Sequence, residues 1–434
     1  MGQEEKLDSY YSDYFEVKSQ LDYLEQLYKY EGLTKKEIQE LEYLREQERG
    51  IFNEIYRIKT DLLLNDEDGR KVVDSEIKTE LTSIKRQNLK FLEYIKYFNP
   101  VEEIYNQRTK NDREKLVYKN INQVDRKDKD EVKNITGKTI AKIEMCACRV
   151  VMATDDTMNK RKIIESIRCN NRFCPYCSKN KSIIDAIALQ TVYSYIKEQS
   201  YKFIFLTLTV PNIPGEELKE QNKKLYKAFD LMFKYKRIKK IVKGYTTKLE
   251  VTYNKEMDTY HPHLHIIITV NKSYFTESQL YISHQEWLEL WKKATGDYSI
   301  TQVDVRRPKN KNEKYKINSE IMELTKYIAK DSDYLYSEEV FRHFYNGLKG
   351  ARLYRHGGVN KEAINRFKKG ELNDYITEEQ VEYVYKFIYH WNFEDNSYTR
   401  NDEDIQKLTV VEKVAILNAR KKNIVNEFNE TEKE

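Results

Sequence analysis

Apolar residues recur with a helical period along the first hundred positions. Val17, Leu21, Leu24 and Tyr28 make a narrow seam that Gly32 breaks, and Thr34 with Glu37 forms a capping box for the next helix. Ile38, Leu41, Ile51, Ile55, Ile58 and Leu62 extend that stripe. A third helix carrying Ile77, Leu81, Ile84, Phe91, Ile95 and Phe98 stops at Asn99-Pro100. Between about 105 and 138 the chain is dense in Lys, Asp, Glu, Asn and Arg with little apolar period, which predicts a solvated linker. After a helix over 179–198 the pattern changes. Phe203 to Val210 reads as a buried strand closed by Pro211. Residues 248–253 form the next strand, and a short polar connection over 254–260 leads into a strand that ends Ile266-Ile267-Ile268-Thr269-Val270, so the two predict a hairpin. Trp287 and Trp291, at helical spacing, mark a core helix. Ile317, Ile321, Leu324 and Ile328 form the buried stripe of a helix over 318–331. Helices and aromatic strands follow to about 400, then one more helix over 410–425.

Helices flanking a central antiparallel sheet predict an α+β fold. The expected partition is a helical or coiled-coil extension over 1–104, a charged linker over 105–138, a cysteine-rich module over 139–182, a principal domain over 183–400, and a C-terminal helix and tail over 401–434.

Charge adds little. The 434 residues carry 34% charged side chains and a net charge of +5, compatible with nucleic acid without demanding it. No apolar run is long enough for a bilayer and the N-terminus lacks a signal-peptide pattern, so a cytoplasmic protein with no membrane partner is expected.

The candidate chemistry lies in three places. All five cysteines fall between 146 and 177, and Cys169-x4-Cys174-Pro175-x-Cys177 is a tight knuckle suited to a structural zinc ion. Cys146 and Cys148 are alternate residues on a presumed strand, and spacing does not choose between them for the fourth place. In His261-Pro262-His263-Leu264-His265, alternate imidazoles share a face about 6.7 Å apart. His263 and His265 therefore form a candidate metal pair, and His261, at the strand entry, is too far from His265 to join them. A hairpin register that sets Glu250 opposite either histidine would make it the third ligand for Mg²⁺ or Mn²⁺; a one-residue slip would turn it away. Third, Glu323 and Tyr327 lie one turn apart with Lys330 beside them, after a basic loop, Arg306-Arg307-Pro308-Lys309-Asn310-Lys311, suited to phosphate.

Together and in this order, these segments resemble the plasmid rolling-circle replication initiators of Gram-positive bacteria, within the His-hydrophobe-His (HUH) endonuclease superfamily. Cys146, Cys169, Cys174-Pro175-x-Cys177, Phe205 to Val210, Glu250-Val251-Thr252, His263-Leu264-His265, Arg307 to Lys311, Glu323-x-x-Lys326-Tyr327-x-x-Lys330-Asp331 and Gly357-Gly358 carry the resemblance, from about 145 to 400. It implies an HUH-type sheet, Cys146 as the fourth zinc ligand, and His263 and His265 on the catalytic metal. It further implies Tyr327 as nucleophile, Glu323 as promoter of a later water attack, and Arg307, Lys309, Lys311 and Lys330 on DNA. Single-stranded or hairpin origin DNA is the implied partner, with a host polymerase and helicase; a homo-oligomer is compatible. A relaxase- or transposase-type nickase and a non-catalytic zinc-ribbon DNA-binding protein are the rival readings.

Overall fold

The computed structural model describes the chain except residues 1–2, 31–34, 66, 106–115, 122–130, 156–159, 308–320, 322–323, 326–330, 377–382, 401–404 and 432–434. It is an α+β protein with antiparallel sheets. Two compact units divide it, and the division is not linear along the chain: one comprises Met1–Thr82, Val150–Glu165 and Val381–Thr409, the other Ser83–Arg149, Ser166–Gln380 and Val410–Glu434.

The first unit begins with α1 (Gln3–Tyr30) and α2 (Lys35–Asn65). Leu21 and Leu24 pack against Leu41 and Leu44, with Val17 beside them. Ile38, expected in this stripe, is 42% exposed, because a seam centred on Leu41 and Leu44 leaves it off to one side at a hundred degrees per residue. The long α3 (Glu67–Phe98) starts in this unit and continues in the second.

In the second unit β1 (Val101–Tyr105) pairs antiparallel with β2 (Leu116–Asn120), a strand where a solvated linker was expected. The Leu116-Val117-Tyr118 run is apolar enough to pair, and Tyr118 is buried. After α4 (Gly137–Glu144) the chain returns to the first unit for most of β3 (Arg149–Thr154) and β4 (Arg161–Ser166).

The sheet that positions the site is five-stranded. In chain order its region contains α5 (Pro175–Glu198), β5 (Lys202–Thr209), α6 (Leu218–Met232), α7 (Lys236–Ile241), β6 (Val242–Asn254), β7 (Thr259–Val270), α8 (His284–Thr295), β8 (Asp304–Arg306) and β9 (Tyr354–Gly358). The strand order is β8-β5-β7-β6-β9, every neighbour antiparallel. Alternation gives each strand two faces. Phe205 and Ile267 face a core built from Leu189, Tyr193, Ile321, Leu324, Ile364 and Phe428, which belong to α5, the helix residues around 321–325, helix Val359–Lys368 and helix Val410–Thr431. Opposite them, Tyr245 meets Phe229 of α6 at 5.1 Å between ring centroids. Trp287 and Trp291 of α8 are fully buried, and Trp291 Nε1 donates to the Thr209 carbonyl at 2.7 Å. Ser283 caps α8 by accepting from the Glu286 amide, and Gly296, at φ +72°, ends it in the left-handed region that glycine tolerates.

The remaining strands, β10 (Tyr385–Asn392), β11 (Ser397–Thr399) and β12 (Ile405–Lys407), complete the first unit's sheet, ordered β11-β10-β3-β4 with β12 also on β10. There a buried charge cluster ties α3 to the strands. Asp74 accepts from Arg400 Nε at 2.9 Å and from the Tyr389 hydroxyl at 3.0 Å, and Lys78 Nζ lies 2.7 Å away. Burial alone would raise the Asp74 carboxyl, but Arg400 and Lys78 outweigh it and hold it below its ordinary value. Asp74→Asn leaves the buried Arg400 guanidinium, and the partly exposed Lys78, short of their anion, and should destabilise the first unit by about 3 kcal/mol, read as lost hydrogen-exchange protection in β10. With a depressed folded value, the stabilisation is complete above the unfolded value of about 3.9 and is lost as pH falls through the folded one.

Candidate metal centres and active site

The histidine strand is β7. Its antiparallel pairing sets Glu250 of β6 directly opposite His263, and Lys248 opposite His265, so all four side chains share a face. On the other side of β7, Thr209 faces His263 and Thr207 faces His265. The Nε2 atoms of His263 and His265 are 3.1 Å apart, and Glu250 Oε2 lies 3.1 Å from His265 Nε2 and 3.8 Å from His263 Nε2. One ligand atom from each lies within 4.8 Å of the others.

Each Nδ1 is engaged away from the cluster. His263 Nδ1 is 3.1 Å from the His261 carbonyl, and His265 Nδ1 is 3.3 Å from Thr207 Oγ1. With Nδ1 of His263 donating to a carbonyl, its Nε2 presents a lone pair. Burial, then the neighbouring His265, pushes His263 down to about 4, so the ring is neutral near pH 7. Burial would raise the Glu250 carboxyl, yet the hydrogen bond from His265 and the two imidazoles bring it below its ordinary value. The His263 lone pair, the His265 imidazole and the Glu250 carboxylate converge at distances that suit a cation, which would take the place of the proton His265 shares with Glu250. His261 stacks on the His263 ring at 5.3 Å and does not enter the triad.

The cysteines form a second cluster. Cys174 caps α5 and Pro175 starts it, which puts Cys174 and Cys177 on one turn. Cys146 Sγ lies 3.6 Å from Cys174 Sγ and 3.5 Å from Cys177 Sγ, and Cys169 Sγ is 3.7 Å from Cys177 Sγ. All four sulfurs lie within 4.8 Å of one another, so this group, like the Glu/His/His triad, could hold a metal ion. Cys146 and Cys148 are not on a strand, as alternation had suggested. They occupy the turn between α4 and β3, where Ala147 adopts φ +61°, and they diverge. Cys148 donates to the Glu144 carbonyl at 3.3 Å, and burial raises its thiol.

Two partners of the cysteines come from α3. Lys85, fully buried, donates to the carbonyls of Glu144 and Cys146 at 2.6 and 2.7 Å and to Asn88 Oδ1 at 3.2 Å. Asn88 Nδ2 donates to Cys174 Sγ at 3.2 Å. Four thiolates around a divalent ion leave a net negative centre, which a buried ammonium balances. Sequence reading missed both residues. The signal was there: Leu81, Lys85, Asn88, Leu92 and Ile95 repeat at seam spacing, with two polar residues inside it. Ile84, assigned to the stripe, is only half-buried.

Of the remaining predicted residues, Arg307 is exposed, its guanidinium 4.6 Å from the Phe275 ring centroid. Glu323, Tyr327, Lys309, Lys311 and Lys330 lie outside the described residues. The helix residues between them are placed at Leu324, whose carbonyl accepts from the Tyr354 hydroxyl of β9 at 2.8 Å. Arg237 of α7, in a stretch rich in lysine and aromatic residues, is held in packing: it pairs with Glu286 at 2.6 Å and donates to the Gln279 and Tyr281 carbonyls.

Fold and site define an α+β protein with two clusters able to hold metal, one of thiols and one of imidazoles and a carboxylate. The sequence profile of the Rep_1 family, described as a replication protein, matches residues 160–399, so the chain belongs to that family and is a plasmid replication initiator. It is 45% identical over 194 residues to "Protein rep" of Staphylococcus aureus, covering 44% of this chain and 82% of that protein. "Protein rep" of a Bacillus species is 34% identical over 261 residues, 55% of this chain and 83% of its own length. "Protein rep" of Streptococcus pneumoniae is 31% identical over 291 residues, 65% and 83% respectively. No solved structure matches the chain significantly. The helices before residue 100 lie outside the family match.

Elemental analysis should separate the two ambiguous thiols: Cys148→Ser retains the metal of the thiol cluster, whereas Cys146→Ser loses it. Lys85→Met keeps the shape and removes the charge, so metal release to a competing chelator should become about tenfold easier. Unchanged affinity in a folded Lys85→Met chain would reduce Lys85 to packing.

Proposed function

We propose that the chain starts rolling-circle replication by nicking one strand at its origin, with Tyr327 as nucleophile and Glu250, His263 and His265 holding Mg²⁺ or Mn²⁺. The observation that carries this reading is the convergence of those three ligands on one face of β6 and β7. The Leu324 carbonyl, three residues before Tyr327, is bonded to β9, the neighbour of β6, on the same sheet. On this reading the sheet is of the HUH type, residues 183–400 form the nicking domain, and Cys146, Cys169, Cys174 and Cys177 hold a structural Zn²⁺.

A divalent ion bound by the triad would neutralise a non-bridging phosphate oxygen and fix the phosphorus for in-line attack. The chain's residues do the rest. The phenol has a reference pKa of about 10, so its proton leaves as the Tyr327 oxygen attacks. The new bond is Tyr327 oxygen to phosphorus, the broken one is phosphorus to the 3′ oxygen, and that oxygen takes a proton. One diester replaces another, so the step is reversible without ATP and leaves a 3′ hydroxyl that primes a host polymerase. Arg307, Lys309, Lys311 and Lys330 grip phosphates of an extruded or single strand. Glu323 activates the water that ends the cycle.

The test is a covalent adduct between the chain and labelled single-stranded origin DNA, with and without Mn²⁺. The adduct should vanish in Tyr327→Phe and fall at least a hundredfold (about 10², the scale of losing a positioned group) in His263→Ala. Glu323→Ala should still nick and accumulate adduct at termination. DNA binding with no adduct on any origin strand would leave a binding module in place of a nickase.

A further inference from the structure

A cavity of about 490 Å³ opens beside β9, the edge strand of the five-stranded sheet. Its walls come from residues 350–356, helix Val359–Lys368 and the start of α5. Arg172, Lys181, Arg352, Lys361 and Lys368 are among the lining residues, and no aspartate or glutamate is, among the described residues. The lining is built. Arg172 donates to the carbonyls of Leu348 and Ala351 at 3.1 and 3.0 Å, holding a turn that Gly350 makes at φ +71°. Lys181 is held by Asp185 at 3.0 Å. Arg355 braces β9 from its other face, paired with Asp230 at 2.7 Å and lying over Tyr226. Arg352 and Lys361 are exposed.

One wall belongs to the catalytic face. Tyr354 lines the cavity, donates to the Leu324 carbonyl, and pairs across β6 with Lys248, which itself pairs with His265. Two strand spacings put Tyr354 about 10 Å from His265. A concave surface lined by lysines and arginines, whose two aromatic rings, Tyr354 and His356, already lie parallel to each other at 6.4 Å between centroids, suits phosphates.

We propose that this cavity binds the phosphodiester backbone of the DNA strand beside the cleaved linkage, a site separate from the Arg307–Lys311 loop. The assignment rests on the nicking function for its substrate, and on the cavity's own geometry for its chemistry. The strand then runs from the cavity past the helix of Leu324 to the triad, so the grip sets which phosphate reaches the nucleophile.

The experiment compares the full chain with Arg352→Ala/Lys361→Ala, both exposed positions, for binding of a labelled single-stranded origin oligonucleotide across a salt series, and for adduct at saturating DNA. Two lost phosphate contacts should flatten the slope of log affinity against log salt by about 1.4 and weaken binding on the order of tenfold. At saturating DNA the adduct should form at neighbouring linkages as well as the wild-type one, read from the lengths of the released 3′ ends, because the grip no longer sets which phosphate reaches the nucleophile. Unchanged affinity and slope would overturn the cavity assignment while leaving nicking intact. A flatter slope in a chain that forms no adduct with any oligonucleotide would support the cavity and defeat the nickase. A fall in dAMP binding without a fall in DNA binding would make this a free-nucleotide site and overturn the proposal.

Discussion

The pairing register of β6 and β7 is the constraint on which the site depends. Side chains alternate faces with a period of two, so a slip of one residue would send Glu250 to the opposite face from His263 and His265. Several features hold the register. The two strands pair along nearly their whole length, from Val242 with Val270 to Asn254 with Thr259, and β5 and β9 pair on their outer sides. The opposite face is locked by Leu249, Val251, Leu264 and Ile266, all fully buried. A slip would bring these apolar residues to the metal face and take the polar ones into the core, and fully burying one aliphatic side chain is worth about 1.5–3 kcal/mol.

Charge in the interior is tied to partners throughout. Asp74 is matched by Arg400 and Lys78, and Lys85 by two carbonyls and Asn88. Lys248, 1% exposed, lies between His265 and Tyr354 with its ammonium 5.6 Å from the Tyr354 ring centroid. These groups specify geometry more than they add stability, because desolvation offsets much of the Coulomb gain. For Lys85 the consequence reaches beyond the family match: α3 contributes to the thiol cluster from a segment that the replication-protein profile does not cover.

The face that carries the Glu/His/His triad and the basic cavity meet at Tyr354 of β9. The sheet's inner strands carry the residues that could hold a metal ion, and its last strand carries a wall of the basic cavity.

What the sequence determined by itself was local. The β-branched run after His265 makes a strand and the alternate histidines share a face, because each follows from the period of its own element, and the Cys169-x4-Cys174-Pro175-x-Cys177 spacing marks a knuckle, although the helix there begins at Pro175 and not at 179. The helical N-terminus and the buried tryptophans were legible for the same reason. Tertiary structure decided what depends on distant partners. It chose the register that brings Glu250 to the histidines and separated Cys146 from Cys148 by a left-handed residue that no spacing foretold. It also brought Lys85 and Asn88 of α3 to cysteines some sixty to ninety positions away. Sequence spacing fixes only neighbours along the chain; a metal cluster, a buried cation or a basic cavity requires burial and packing to bring together residues the chain keeps apart.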